Sequence, residues 1–277
     1  QITVSPISIR PATDADAEDV VQETWLRWIG VDRSEIDAPR SYLVRIVARQ
    51  ALGRLRTVSR RRENYVGAWL PEPLLTSPDA AEDIELAERI SIAMLTVLET
   101  LAPAERAVFV LREVFDTPYD EIAEVVGKTP EAVRQIAHRA REHVAARRPR
   151  MQVDRAAQLA VVEKFLAALS TGDLQGLMEV LAPDVVAIAD GGGIAPSVQK
   201  PIAGARKLAA ALALAGKKPG FAATAAWLNG MPGARLSFEA GSAAISLVVE
   251  DGRITRIYAI SNPHKLGHLE TVAELRR

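Results

Sequence analysis

The sequence contains no cysteine. That excludes a disulfide framework and thiolate metal sites, and it suits a reducing cytoplasm. No apolar run reaches the roughly 18 residues that a membrane helix needs, so no membrane role is expected. No secretory leader is visible. The chain opens on Gln1, which fits a trimmed N-terminus. An excess of positive charge is also missing. The net charge is −1, whereas a free-standing nucleic-acid binder is usually basic. What is present is 48% apolar and 25% charged residues, the balance of a globular protein. A length of 277 residues allows two domains or one large one.

The first half reads as helix. In "DADAEDVVQETWLRW", Ala17, Val20, Val21, Trp25 and Trp28 recur at helical spacing, with acids on the other face. A second helix follows Pro39, with Leu43, Ile46, Val47, Leu52 and Leu55 as its apolar stripe and a basic far end. "WLPEPLLTSPDAAED" carries Pro71, Pro73 and Pro78, which forbid a continuous helix and predict an extended linker. Helical pattern returns over about 82–100, 103–115, 118–126 and 130–147. From about residue 154 helices mix with strand-like runs, and Asp251-Gly252 between two β-branched runs signals a hairpin. An all-helical half is therefore expected to precede an α+β half.

"GKTPEAVRQIAHRAR", residues 127–141, admits two readings. Gly-Lys-Thr ends a phosphate-binding loop, but that loop needs a glycine five residues earlier, where Ile122 stands. The other reading is the turn and second helix of a helix-turn-helix. Thr117 is expected to cap a helix starting at Pro118, Gly127 to make the turn, and Thr129 to cap the second helix. Val133, Ile136, Ala137, Ala140 and Val144 form a buried stripe on that second helix. Arg134, Gln135, His138 and Arg139 face outward beside Glu131 and Arg141. Arginine pairs with guanine and glutamine with adenine in a major groove.

Two helical blocks in this order resemble the extracytoplasmic-function (ECF) RNA polymerase sigma factors. "DAEDVVQETWLRW" is similar to the core-polymerase-binding helix of sigma domain two. "YLVRIVARQALGRLRTVSRRR" is similar to the helix that reads the −10 element. Residues 98–142 resemble sigma domain four, which reads the −35 element. Members of the SigJ type add a SnoaL-like C-terminal cone, a Trp-Leu-Pro-Glu-Pro linker motif, a loop like Asp190-Gly191-Gly192-Gly193 and a terminal Asn-Pro-Asp-Lys-Leu. This chain has Trp69 to Pro73, and it has Asn262-Pro263-His264-Lys265-Leu266, with His264 in place of the acid. It also carries Gln50 and Gly53 where the family usually has Asn and Asp. The stretch 1–13 does not read as helix, so domain two begins atypically or the chain is a fragment.

The resemblance implies two all-α sigma domains, the second a helix-turn-helix, followed by an α+β SnoaL-like cone. The expected divisions are 1–68 for domain two, 69–88 for the linker, 89–150 for domain four and 151–277 for the cone. It implies core-polymerase binding by Asp19, Gln22 and Glu23. It implies −10 binding by Arg54, Arg56, Arg60, Arg61 and Arg62, and −35 binding by Arg134, Gln135, His138 and Arg139. The charge puzzle then resolves, since such a factor binds DNA inside a larger enzyme and only local patches need be basic. The cone is expected to regulate by contacting the sigma core, in place of a separate anti-sigma protein. Its contact residues would be Trp69, Leu70, Pro71, Glu72, Pro73, Asp190, Gly191, Gly192, Gly193, Asn262, Pro263, His264, Lys265 and Leu266. The partners expected are core RNA polymerase, promoter DNA and a small molecule in a hollow cone. The protein is expected to be monomeric, without cofactor or metal. Two alternatives stay open: a ligand-sensing repressor or activator, and a cyclase-type enzyme using an Asp190–His264 acid–base pair.

Overall fold

The computed structural model describes residues 14–32, 36, 38–62, 65–77, 91–147 and 155–273. Backbone contacts divide the chain into two units. One holds the residues up to 64 with 97–148, and the other holds 65–96 with 149–275.

In the first unit, α1 (Asp14–Ile29) packs on α2 (Pro39–Arg62). Of the two apolar rows on α1, only one is buried. Ala17, Val20 and Thr24 are covered and Trp28 is half-buried, whereas Val21 and Trp25 are exposed together with Leu26 and Ile29. The expected stripe is thus turned by about one residue. Thr24 fits the buried row because its hydroxyl donates to the Val20 carbonyl at 2.7 Å, leaving no unpaired polar group. Helix α3 spans Ile92–Glu99 and contains the division between the two units. The rest of the first unit is α4 (Pro103–Glu113), α5 (Tyr119–Val126) and α6 (Pro130–Arg147), which pack on one another. Helix α2 also packs on α4 and α5. Arg45 bridges to Glu124 at 3.0 Å, and Arg49 donates to the Glu124 carbonyl at 3.0 Å.

The second unit is built on a seven-stranded mixed sheet. Its strands are β1 (Leu75–Thr76), β2 (Leu181–Asp190), β3 (Ile202–Ala203), β4 (Ala222–Leu228), β5 (Met231–Phe238), β6 (Gly241–Glu250) and β7 (Arg253–Ile260). Their order is β1-β4-β5-β6-β7-β2-β3, with β2 and β7 parallel and the other neighbours antiparallel. Helices α7 (Arg155–Thr171), α8 (Leu174–Val180) and α9 (Ala205–Gly216) cover one face. There Phe165, Leu169, Leu177 and Leu208 meet Leu236, Ile245, Leu247 and Ile257.

The other face is covered by residues 70–75, the start of α3 and the C-terminal segment. Leu70, Ile92 and Ala93 pack on Val248, Tyr258 and Ile260. Leu75, Leu266 and Leu269 pack on Leu228 and Ala244. Cover on both faces explains why Ala243–Val249 of β6 is buried without a break, where a half-exposed strand would alternate. Over its described residues, the stretch expected as an extended linker is part of this sheet's packing.

Candidate nucleic-acid interface and linker site

The helix-turn-helix is α5 and α6. Gly127 ends α5 at φ 67°, and its N–H donates to the Ala123 carbonyl. Only glycine takes that left-handed turn cheaply. Thr129 caps α6 as expected, its hydroxyl accepting from the Ala132 N–H at 3.3 Å. Thr117 does not cap α5. That helix starts at Tyr119 with Pro118 at its cap and no side-chain cap bond, while Thr117 is buried and its carbonyl accepts from Arg112 at 3.2 Å. On α6, Val133, Ile136, Ala137, Ala140 and Val144 are buried, and Arg134, Gln135, His138 and Arg139 are all exposed. The few ion pairs there are loose surface contacts, Arg134 with Glu131 at 3.6 Å and His138 with Glu142 at 3.5 Å. Such pairs cost little to exchange for phosphate or base.

On α1, Gln22 and Glu23 are exposed. Asp19 is ion-paired with Arg54 of α2. A residue assigned to polymerase and one assigned to the −10 element thus face each other across the α1–α2 contact. Arg56, Arg60, Arg61 and Arg62 lie on the last turns of α2, and their side chains fall outside the described residues.

The second unit brings the three remaining motifs together around Asp190. This carboxylate is fully buried at the end of β2. It accepts from the Tyr65 hydroxyl at 2.5 Å, the Leu70 N–H at 2.8 Å, the Gly192 N–H at 3.0 Å and the Lys265 ammonium at 2.7 Å. Lys265 is itself buried. It also donates to the Leu70 carbonyl at 2.6 Å and lies 4.0 Å from the Trp69 ring centroid. Asn262 donates to the Tyr65 oxygen at 2.9 Å, and its side-chain carbonyl accepts from the His264 N–H at 3.1 Å. A buried charge pair is tolerated only when its remaining hydrogen-bonding capacity is met, and these contacts meet it. Gly192 sits at φ 63°, and a Cβ there would collide with the Asn262 side chain. That close approach accounts for part of the glycine run.

Of the linker motif, Leu70, Pro71, Glu72 and Pro73 are buried and Trp69 is half-buried. In the other loops Gly191 is buried, Gly193 and Pro263 are exposed, and Leu266 packs under the sheet. The exposed His264 side chain does not approach Asp190, whose partner is Lys265. The arrangement is a fastening, with no acid–base pair. Burial pushes the Tyr65 hydroxyl well above the ordinary tyrosine range, and its bond to Asp190 adds to the rise.

A second fastening lies one turn of chain further on. Leu74 exchanges two 2.9 Å hydrogen bonds with Asn229, through its N–H to the Asn229 side chain and its carbonyl to the Asn229 N–H. The Gly230 N–H donates to Thr76 at 3.0 Å, and the Ala273 N–H donates to the Leu75 carbonyl at 2.7 Å. Sequence reading missed Tyr65 and Asn229. The Asn229-Gly230 pair between strand-like runs was the available signal for the second. Nothing local marks Tyr65.

A model of sigma-70 region 2 matches residues 11–61, and one of sigma-70 region 4 matches residues 91–144. The ECF RNA polymerase sigma factor SigJ of Mycobacterium tuberculosis H37Rv is 36% identical over an alignment covering 91% of this chain and 86% of that protein. This chain belongs to the ECF RNA polymerase sigma factors. The probable ECF sigma factor SigI of the same species is 34% identical, covering 91% of this chain and 87% of its own length. The crystal structure of the M. tuberculosis ECF sigma factor SigJ superposes with a TM-score of 0.73 at 33% identity, covering 95% of this chain and 94% of that one. The fold is therefore that of an ECF sigma factor whose helical sigma regions are followed by an α+β domain. Membership makes the chain an alternative sigma factor acting in transcription initiation, and it sets aside the enzyme and repressor readings.

Proposed function

We propose that this ECF sigma factor selects its promoters through two faces of its first unit. Arg134, Gln135, His138 and Arg139 read the −35 duplex, and Arg54, Arg56, Arg60, Arg61 and Arg62 hold the −10 strand. Asp19, Gln22 and Glu23 dock on core polymerase. The observation that carries this reading is α6. One side is wholly buried, the opposite side carries four exposed residues with base- and phosphate-binding chemistry, and a glycine turn presents it. Affinity from the arginines is expected to fall steeply with salt.

The Asp190–Lys265 fastening is the regulatory contact in this reading. It ties the segment that separates the two sigma regions to the C-terminal domain, so the state of that domain sets the freedom of the segment. The protein works in the cytoplasm as one copy per polymerase. Support for a single copy comes from the sheet's second face, which the chain's own residues already cover. A small-molecule ligand of the cone would have to be apolar, because the face under α7–α9 is lined by Phe165, Leu177, Ile245 and Leu247.

Run-off transcription with core polymerase tests the reading. The intact chain is expected to give promoter-dependent transcripts, and Arg139→Ala to reduce them. Lys265→Met is expected to change their yield without changing the start site. Promoter-dependent transcripts of equal yield from all three would refute both the DNA face and the regulatory contact.

A further inference from the structure

Two guanidinium groups lie over the Tyr119 ring. Arg112 of α4 is 4.9 Å from its centroid and Arg134 of α6 is 5.7 Å away. Arg112 is fixed independently of the ring. It pairs with Asp116 at 3.0 Å and donates to the Thr117 carbonyl at 3.2 Å. Tyr119 is half-buried at the first position of α5, so its backbone is set by the helix. Arg134 is exposed, and it also pairs loosely with Glu131 at 3.6 Å. An arginine on a surface helix normally samples many rotamers, and ordering it costs free energy. Reading guanine requires its planar fork to lie in the plane of the base. A ring that already holds the guanidinium lowers that ordering cost.

We propose that Tyr119 is a positioning residue for base selection: its ring, which also carries the fixed Arg112 guanidinium, holds the Arg134 guanidinium in the attitude from which it reads one base pair of the −35 element. Nothing in the sequence marks Tyr119 for this. It lies outside the outward row of α6, and only the fold stacks it there. The proposal rests on the reading of Arg134 as a −35 contact, and the test separates the two.

The test is run-off transcription by the full chain with core polymerase on a promoter library randomised through the −35 element, scored by base preference at each position. Arg134→Ala is expected to flatten the preference at one base pair. Tyr119→Leu and Tyr119→Met, two ring-free variants in case one folds poorly, are expected to flatten the same base pair by about two- to fivefold, the size of an exposed cation–π contact. Tyr119→Phe is expected to keep the full preference, because the hydroxyl plays no part. A flat response to Arg134→Ala would overturn the reading of Arg134 itself. An effect of Arg134→Ala with none from the ring-free variants would overturn the positioning role alone. So would a ring-free variant that lowers all promoters equally, since that is the mark of a merely structural tyrosine.

Discussion

The Asp190 carboxylate takes four hydrogen bonds, whereas the Lys265 ammonium donates to it and to the Leu70 carbonyl and rests on the Trp69 ring. The two halves of this buried pair are therefore not equivalent. Asp190→Ala strands a buried ammonium and three further donors, so it is expected to cost about 3–5 kcal/mol in the second unit. Lys265→Met leaves the carboxylate with three donors and keeps the stem's packing, so a smaller loss of about 1–3 kcal/mol is expected. Thermal unfolding of the two variants gives the order directly. Tyr65 adds a pH signature. Its folded pKa lies above the unfolded value of about 10, so the folded state holds the proton longer. The stability it contributes is complete below about pH 10 and is lost as pH rises beyond it. Burial raises Tyr258 too, so an alkaline decline is expected in the parent. Tyr65→Phe is expected to make that decline shallower in urea titrations between pH 9 and 11.

Among elements, the helix-turn-helix depends on one backbone position. Gly127 has open space where a methyl group would sit but a left-handed φ, so Gly127→Ala meets strain without collision. A loss of about 1–2 kcal/mol is expected in unfolding of the first unit. The Arg45–Glu124 bridge between α2 and α5 is the opposite case. It is largely solvated, with side chains 40% and 61% exposed, and Arg45→Ala is expected to cost under about 1 kcal/mol. The elements themselves were legible from sequence: α5, α6 and the β6–β7 hairpin at Asp251-Gly252 lie where hydrophobic periodicity and turn residues put them. The rotation of α1 was not, because two apolar rows of similar strength run along it and only packing on α2 chooses between them. Thr117 misled for a related reason. A threonine before proline has capping chemistry, but burial of its side chain and the demand of Arg112 on its carbonyl won. For the linker site, family motifs named the segments, while the partners within them came from topology. Tyr65 and Asp190 are 125 positions apart, a distance no local pattern spans.

At the scale of the whole molecule, the second unit is assembled from two separated stretches of chain. A product starting at residue 151 lacks Leu70, Leu75, Ile92 and Ala93, and so loses the cover that Leu70, Ile92 and Ala93 give Val248, Tyr258 and Ile260. An exposed apolar sheet face of that kind drives association. Light scattering is expected to find such a fragment self-associated, and a synthetic peptide of residues 65–96 is expected to return it to a monomer. The same peptide with Leu70→Asp is expected to fail. A fragment that stays monomeric unaided would show that the face does not need this cover.

Strand β1 is only two residues long, yet it has a neighbour on each side: β4 on one and Ala273 on the other. Neither the first sigma region nor the last hundred residues contains it. A recombination event that grafts this C-terminal domain onto another sigma factor, or an engineer who does the same, must therefore carry the segment from Tyr65 onward as part of the cargo. The heritable module and the contiguous domain are different objects in this protein, and chimaeras cut at the conventional border will inherit a sheet without its lining.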